Sequence, residues 1–240
     1  MKKAFTYMFD DENIAKKLLV LFGINLIAYF IMTWFRVFPT EGFITLLLCI
    51  TALTAGIIST GYGISCVKSF IKNEQLPYID FTKNALLGLK FILAILITAV
   101  TIFACSIIFY LLMKLLFLPI QIILAIFYTV IFFVFLFYSL GLSRNFAQTE
   151  HVLSYLQLKK VTAQIKNNKT AYLKAFGYYI LFTIVMSVLN YLVGQILIFF
   201  VGFKSINILI LSLFNSLFTT YTIFVSSYLV ANSMAIEENE

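Results

Sequence analysis

One histidine, ten carboxylates and three cysteines are all that the chain offers to acid–base, metal or nucleophilic chemistry. The histidine, His151, directly follows Glu150. A lone neighbouring His–Glu pair reads first as solvated side chains and second as a switch or ligand. An ionisable group inside a membrane segment is costly and marks function. Here Asp10, Asp11, Glu12, Glu41, Glu74, Asp80, Glu150, Glu237, Glu238 and Glu240 all fall between or outside the long apolar runs. Cys49, Cys66 and Cys105 lie within such runs, at spacings that match neither a metal site nor a disulfide framework, and read as small apolar fillers. No paired carboxylates, glycine-rich phosphate loop or nucleophile elbow is present. A hydrolase, a metalloprotease and a carboxylate-based proton carrier are therefore not expected. No catalytic residue, cofactor or metal ligand is assigned.

The stretch Thr60-Gly61-Tyr62-Gly63 imitates the carbonyl filter of a potassium channel. A filter needs non-helical backbone lining a pore. These residues instead end an unbroken apolar run just before Lys68, so a helix is expected. Ala52, Gly56 and Thr60 recur every four residues, a spacing that lets helices approach closely, and Tyr62 is placed at the membrane interface. The remaining polarity inside the apolar runs is neutral: Asn25, Asn190, Gln195 and Asn215, with Thr219, Thr220, Thr222, Ser226 and Ser227 in the last run. Such groups bond across helices for about 0.6 kcal/mol each. Alternatively, Asn190 and Asn215 line a cavity for a polar solute or lipid head group.

The elements that must position these residues follow from composition. Of the 240 residues 62% are hydrophobic and 11% charged, with a mean hydropathy of +1.01. A soluble core of this size cannot hide so much apolar surface, and the long runs call for helices rather than a barrel. Six spans are expected, at about 18–35, 43–65, 91–113, 120–142, 176–200 and 206–230. The first, at about 1.5 Å per residue, is roughly 27 Å long, just enough to cross. Its long acidic leader is not that of a cleavable signal. Residues 1–17 are expected as an interfacial arm, and 231–240 as a cytoplasmic tail.

Lysines and arginines alternate along the chain. Lys2, Lys3, Lys16 and Lys17 precede span one. Lys68, Lys72, Lys83 and Lys90 surround the loop after span two. Arg144, Lys159, Lys160, Lys166, Lys169 and Lys174 surround the loop after span four, leaving only Arg36, Lys114 and Lys204 for the other side. Both termini are expected in the cytoplasm, with short outer connections and two larger amphipathic inner loops. In the first loop Asp80 is placed as a cap on a helix whose apolar face is Phe81, Ala85 and Leu89, with Lys83 and Lys90 opposite. The second loop, within 144–168, is expected to hold two short helices. Spans two–three and four–five form similar hairpins, which reflect either duplication or shared constraints on membrane hairpins.

Gly61-Tyr62, Leu76-Pro77, Asp80-Phe81 and Gly88-Leu89-Lys90 together resemble a bacterial and archaeal family of multi-pass membrane proteins known only as a domain of unknown function. Phe9-Asp10-Asp11 before Lys16-Lys17-Leu18-Leu19, the stretch Arg144 to Ala147, and Tyr172-Leu173-Lys174-Ala175 extend the likeness over most of the chain. Members often carry acidic and tryptophan residues after Leu-Pro, where this chain has Tyr78 and Ile79. The resemblance implies a topology and a class, and no activity.

The expectation is an all-α, six-helix integral membrane protein of the plasma membrane. Gly61, Tyr62, Leu76, Pro77, Gly88, Lys90, Asn190 and Asn215 are its candidate packing or ligand-contact positions. It is expected to act without catalysis, as an accessory, assembly or lipid-interacting component. The alternative is a small permease or lipid transporter with a polar cavity between helices. Its expected partners are membrane lipids, with anionic head groups at the cytoplasmic face at roughly 1 kcal/mol per cation, and a protein partner or a second copy of the chain. Its basic residues form no dense patch interleaved with aromatics, so no nucleic acid is expected.

Overall fold

A computed structural model of the chain describes residues 13–37, 42–115, 118–200 and 204–234. Helices follow one another as α1 (Ile14–Val37), α2 (Phe43–Ile71), α3 (Phe81–Leu115), α4 (Leu118–Thr149), the 3-10 turn η1 (Val152–Leu156), α5 (Leu158–Asn167), α6 (Lys169–Phe200) and α7 (Lys204–Asn232). Six of them are long and apolar enough to cross a membrane, the architecture of a multi-pass membrane protein.

The helices outrun the expected spans. At 35 residues and about 1.5 Å per residue, α3 is roughly 52 Å long, well beyond a hydrocarbon core of about 30 Å. The lysine-bearing helix expected in the first inner loop is thus the opening turns of α3. Asp80 does cap it, its Oδ1 accepting from the Lys83 N–H at 3.0 Å. The buried face there is Asn84, Leu87 and Gly88, while Phe81 and Leu89 are exposed. The apolar face expected from Phe81, Ala85 and Leu89 therefore points outward, because Gly88 selects the side on which another helix can come close. In the second loop α4 runs on to Thr149, and η1 and α5 supply two short helices. The two hairpins therefore differ: one has a continuous helix where the other has a break. The interfacial arm falls mostly on residues 1–12, and the end of the tail on 235–240, both outside the described residues.

α2 is the hub. It packs on α1, α3 and α7, and more lightly on α4, while α7 also closes against α1 and α6. The buried stripe of α1 is Lys17, Leu21, Ile24, Asn25, Ala28 and Ile31, three or four residues apart as a helix face requires. The core gathers at the end that carries η1 and the α2–α3 connection, around Tyr62, Phe146, Tyr172 and Phe224. Away from that lysine-rich end α4 and α6 expose most of their apolar side chains. Lipid accepts such surface without penalty.

Candidate functional site

Helices α2 and α3 come into backbone contact through two glycines. A Cβ on Gly61 would collide with the Asn84 carbonyl and lie 2.7 Å from the Gly88 nitrogen. A Cβ on Gly88 would collide with the Ile57 carbonyl and lie 3.0 Å from the Gly61 nitrogen. The small-residue stripe expected at Ala52, Gly56 and Thr60 does not make this contact, since a Cβ on Gly56 would meet nothing within 4 Å. Steps of four overshoot the helical turn, so the stripe drifts off the contact face. The buried face runs through Ala52, Ala55, Ser59, Tyr62 and Cys66 instead.

Backbone of the GYG stretch is helical throughout, within α2. Two of its carbonyls are occupied: Gly61 O accepts from Ser65 Oγ and Gly63 O from Ser227 Oγ, at 3.1 and 2.9 Å. Tyr62 is fully buried within the protein. Its hydroxyl donates to Pro77 O at 3.2 Å, and its ring meets Phe224 edge-on. The adjacent Leu76 is anchored in the core, and its carbonyl accepts from Lys17 Nζ. Lys17 is 4% exposed, and its ammonium also lies 4.7 Å from the centre of the Tyr78 ring, a cation–π contact. Leu-Pro is thus tied to α1 and α2 at once. Gly61, Tyr62, Leu76, Pro77 and Gly88 converge here, and Lys90 lies two residues past Gly88.

Behind this junction lies a cleft of about 350 Å³ among α2, α3, α4, η1, α6 and α7. Ser59, Thr60, Ser139, Ser143, Ser226 and Ser227 line it, with Tyr155 and Tyr179. Most of these hydroxyl protons are already given to the protein. Ser59 donates to Asn25 Oδ1, Thr60 to Gly56 O, Ser139 to Leu136 O, Ser226 to Thr222 O and Ser227 to Gly63 O. A hydroxyl has one proton and two lone pairs, so the cleft presents acceptors. Burial pushes the Tyr155 phenol up, partly offset by its hydrogen bond with Ser143, and it stays neutral. The Asn25 amide completes a three-helix network by donating to Thr220 Oγ1 at 3.0 Å.

Asn190 lines a separate groove of about 280 Å³ between α6 and α7, with Thr183, Ser187, Thr219 and Thr222. Tyr179 and Ile223 border both this groove and the cleft. Asn215 is half-buried on α7 and borders neither.

At the surface of the lysine-rich end, Lys68 Nζ pairs with the Glu150 carboxylate. Glu150 stands just past α4 with φ 56°, a left-handed conformation uncommon outside glycine and asparagine. The Lys68 hydrogen bond holds its carboxyl below the usual range against the opposing effect of partial burial, with further help from Lys68, Lys83 and Lys90 charges. Lys90, Glu150 and His151 border an open cleft of about 460 Å³ with Thr149, Ser154 and Gln157. Among the described residues no three His, Cys, Asp or Glu side chains come together as a metal site.

Sequence reasoning missed Lys17, which reads as one more topology-setting cation. Its spacing to Leu21, Ile24 and Ala28 was the available signal, since it shares their face while Lys16 does not. It also missed Asn84 and Asn145, both 1% exposed, for which no signal was present. Asn84 Oδ1 shares the Ser65 hydroxyl proton with Gly61 O and Asn145 Nδ2 donates to Ser154 O, but Asn84 Nδ2 and Asn145 Oδ1 have no hydrogen-bond partner.

No curated protein and no solved structure matches the chain. The family described as "Protein of unknown function (DUF4013)" matches residues 44–203. That segment runs from the start of α2 to the end of α6 and contains the glycine crossing, the Leu-Pro anchor and the Glu150 corner, and the chain belongs to this family.

Proposed function

We propose that this protein is a non-catalytic, lipid-interacting component of the plasma membrane, with its lysine-rich end and both termini in the cytoplasm. It holds an uncharged, hydroxyl-bearing amphiphile in the cleft between α2, α4 and α7. One observation carries the reading: hydroxyl side chains whose protons are spent within the protein line a cleft of about 350 Å³ between apolar helices. Such walls accept hydrogen bonds from a polyol-like head group and receive its chains between the exposed faces of α4 and α6. The charge alternation supports the orientation. The lone His–acid pair supports a non-catalytic role, because Glu150 is engaged by Lys68. The basic face attracts anionic lipid in general, and a protein partner or second copy would dock on the exposed helices.

Native mass spectrometry of gently extracted protein tests this reading. A retained neutral, hydroxyl-bearing lipid is expected, lost in a Ser139→Ala/Ser143→Ala/Ser226→Ala variant. Retention unchanged in that variant, or no retained lipid, would refute it. A second reading, a small permease or lipid transporter, is favoured by the shared border of the cleft and the Asn190 groove at Tyr179 and Ile223. A solute flux in proteoliposomes that falls in Asn190→Leu would select it.

A further inference from the structure

The corner at Glu150 combines features that the hydroxyl-lined cleft does not explain. Three cations bear on one carboxylate from two helices: Lys68, near the end of α2, pairs with it, Lys90 of α3 borders the same cleft, and the charge of Lys83, in the first turn of α3, acts on it at longer range. The other acids nearby are engaged elsewhere. Glu74 pairs with Lys72 at 3.5 Å, and Asp80 accepts the Lys83 backbone N–H. The positive charge around this carboxylate thus exceeds its own, beside an open cleft of about 460 Å³ that Glu150 and Lys90 border. Lys90, Thr149, Ser154 and Gln157 bring one cation and neutral hydrogen-bonding groups to it.

The carboxylate is also held there at a cost. A non-glycine residue at positive φ is disfavoured, and helices usually give this position to glycine or asparagine. The Glu150 N–H still closes the last turn of α4 on Phe146 O at 2.7 Å. In this conformation the carboxylate pairs with Lys68. A strained residue at a charged cleft is an observation from which function can be inferred.

We propose that Lys68, Lys83 and Lys90 form a binding site for a phosphate monoester, and that Glu150 is the internal anion which the phosphate displaces. A phosphate monoester carries about −1.5 to −2 charge near neutrality, and so balances three lysines better than one carboxylate does. A phosphodiester, with a single charge, does not exceed Glu150. The ligand is a lipid head group of this chemistry or a soluble phosphate monoester. The lipid source rests on the reading of the lysine-rich end as the cytoplasmic, membrane-facing end.

The test uses the full chain in phosphatidylcholine nanodiscs doped with phosphatidic acid or with phosphatidylglycerol, and separately titrates inorganic phosphate. Wild-type protein is expected to retain phosphatidic acid in preference to phosphatidylglycerol. Lys68→Gln/Lys83→Gln/Lys90→Gln is expected to lose that preference, at roughly fivefold per lysine. Glu150→Gln is expected to tighten binding several-fold, because the competing anion is gone. A second triple variant, Lys159→Gln/Lys160→Gln/Lys166→Gln, removes three exposed cations of α5 and is expected to keep the preference. If both triple variants lose binding equally, the site is overturned and only a diffuse basic face remains. If Glu150→Gln binds no tighter, the displacement is overturned. Binding of inorganic phosphate that Lys68→Gln/Lys83→Gln/Lys90→Gln abolishes, with no preference for phosphatidic acid over phosphatidylglycerol, would keep the phosphate site and reject the lipid source. No association with any anionic lipid or phosphate would overturn the site together with the general attraction of the basic face.

Discussion

Gly61 of α2 and Gly88 of α3 meet backbone to backbone: each occupies the place that a side chain on the other would need. Alanine at either position forces the two helices apart along their most extensive contact. Overpacking of this kind costs about 1–3 kcal/mol. Gly61→Ala and Gly88→Ala are expected to lower the thermal midpoint in detergent by a matching amount. Gly56→Ala, where a Cβ meets nothing, is expected to stay within about 0.5 kcal/mol of wild type. Equal effects of all three would remove the crossing from the account.

Lys17 and Lys16 are adjacent in sequence and opposite in environment. Lys17→Met removes the donor to Leu76 O and the cation over Tyr78, leaving a buried carbonyl unsatisfied at about 1–3 kcal/mol. Lys16→Met changes only an exposed side chain. Unfolding of the two variants side by side checks this: Lys17→Met falls and Lys16→Met does not.

Asn25, Ser59 and Thr220 join three helices through one amide. A double-mutant cycle on Ser59→Ala and Thr220→Ala is expected to give a coupling near 0.6 kcal/mol and no more than about 1.7 kcal/mol, the scale of such bonds within membranes. Additivity to within error would mean that the two bonds do not communicate through Asn25.

The Lys68–Glu150 pair fixes a direction of pH dependence. The folded-state value of Glu150 lies below its unfolded one, first because Lys68 hydrogen-bonds the charged form. Its contribution is therefore complete above the unfolded carboxyl range and is lost as pH falls through the lower folded value. With both side chains about one-third exposed, the loss is expected not to exceed about 1 kcal/mol. The thermal midpoint of wild type should fall below pH of about 4 more steeply than that of Glu150→Gln. Identical profiles would show that the pair contributes nothing to folding.

Much of the architecture was legible because the bilayer is a simple solvent. Apolar runs long enough to cross it must be helical, so six helices could be read off directly. Asp80 was legible as a cap because capping is local. The motif residues Gly61, Leu76, Pro77 and Gly88 could be singled out, yet their purpose was not visible. The face of α3 that packs on α2, with Asn84, Leu87 and Gly88, was not legible, because next to lipid apolarity no longer distinguishes inside from outside.

The amino-acid sequence by itself determined the number of spanning helices, their all-α class and the gathering of lysines on alternate connections. These follow from local hydropathy and charge and need no knowledge of neighbours. Tertiary structure alone decided that Gly61 faces Gly88 while Gly56 faces nothing, that Lys17 is buried beside an exposed Lys16, and that Lys68 pairs with Glu150 at a cleft it shares with Lys90. Each of these depends on which helix faces which and at what rotation. Close backbone approach sets that rotation, and hydropathy does not encode it.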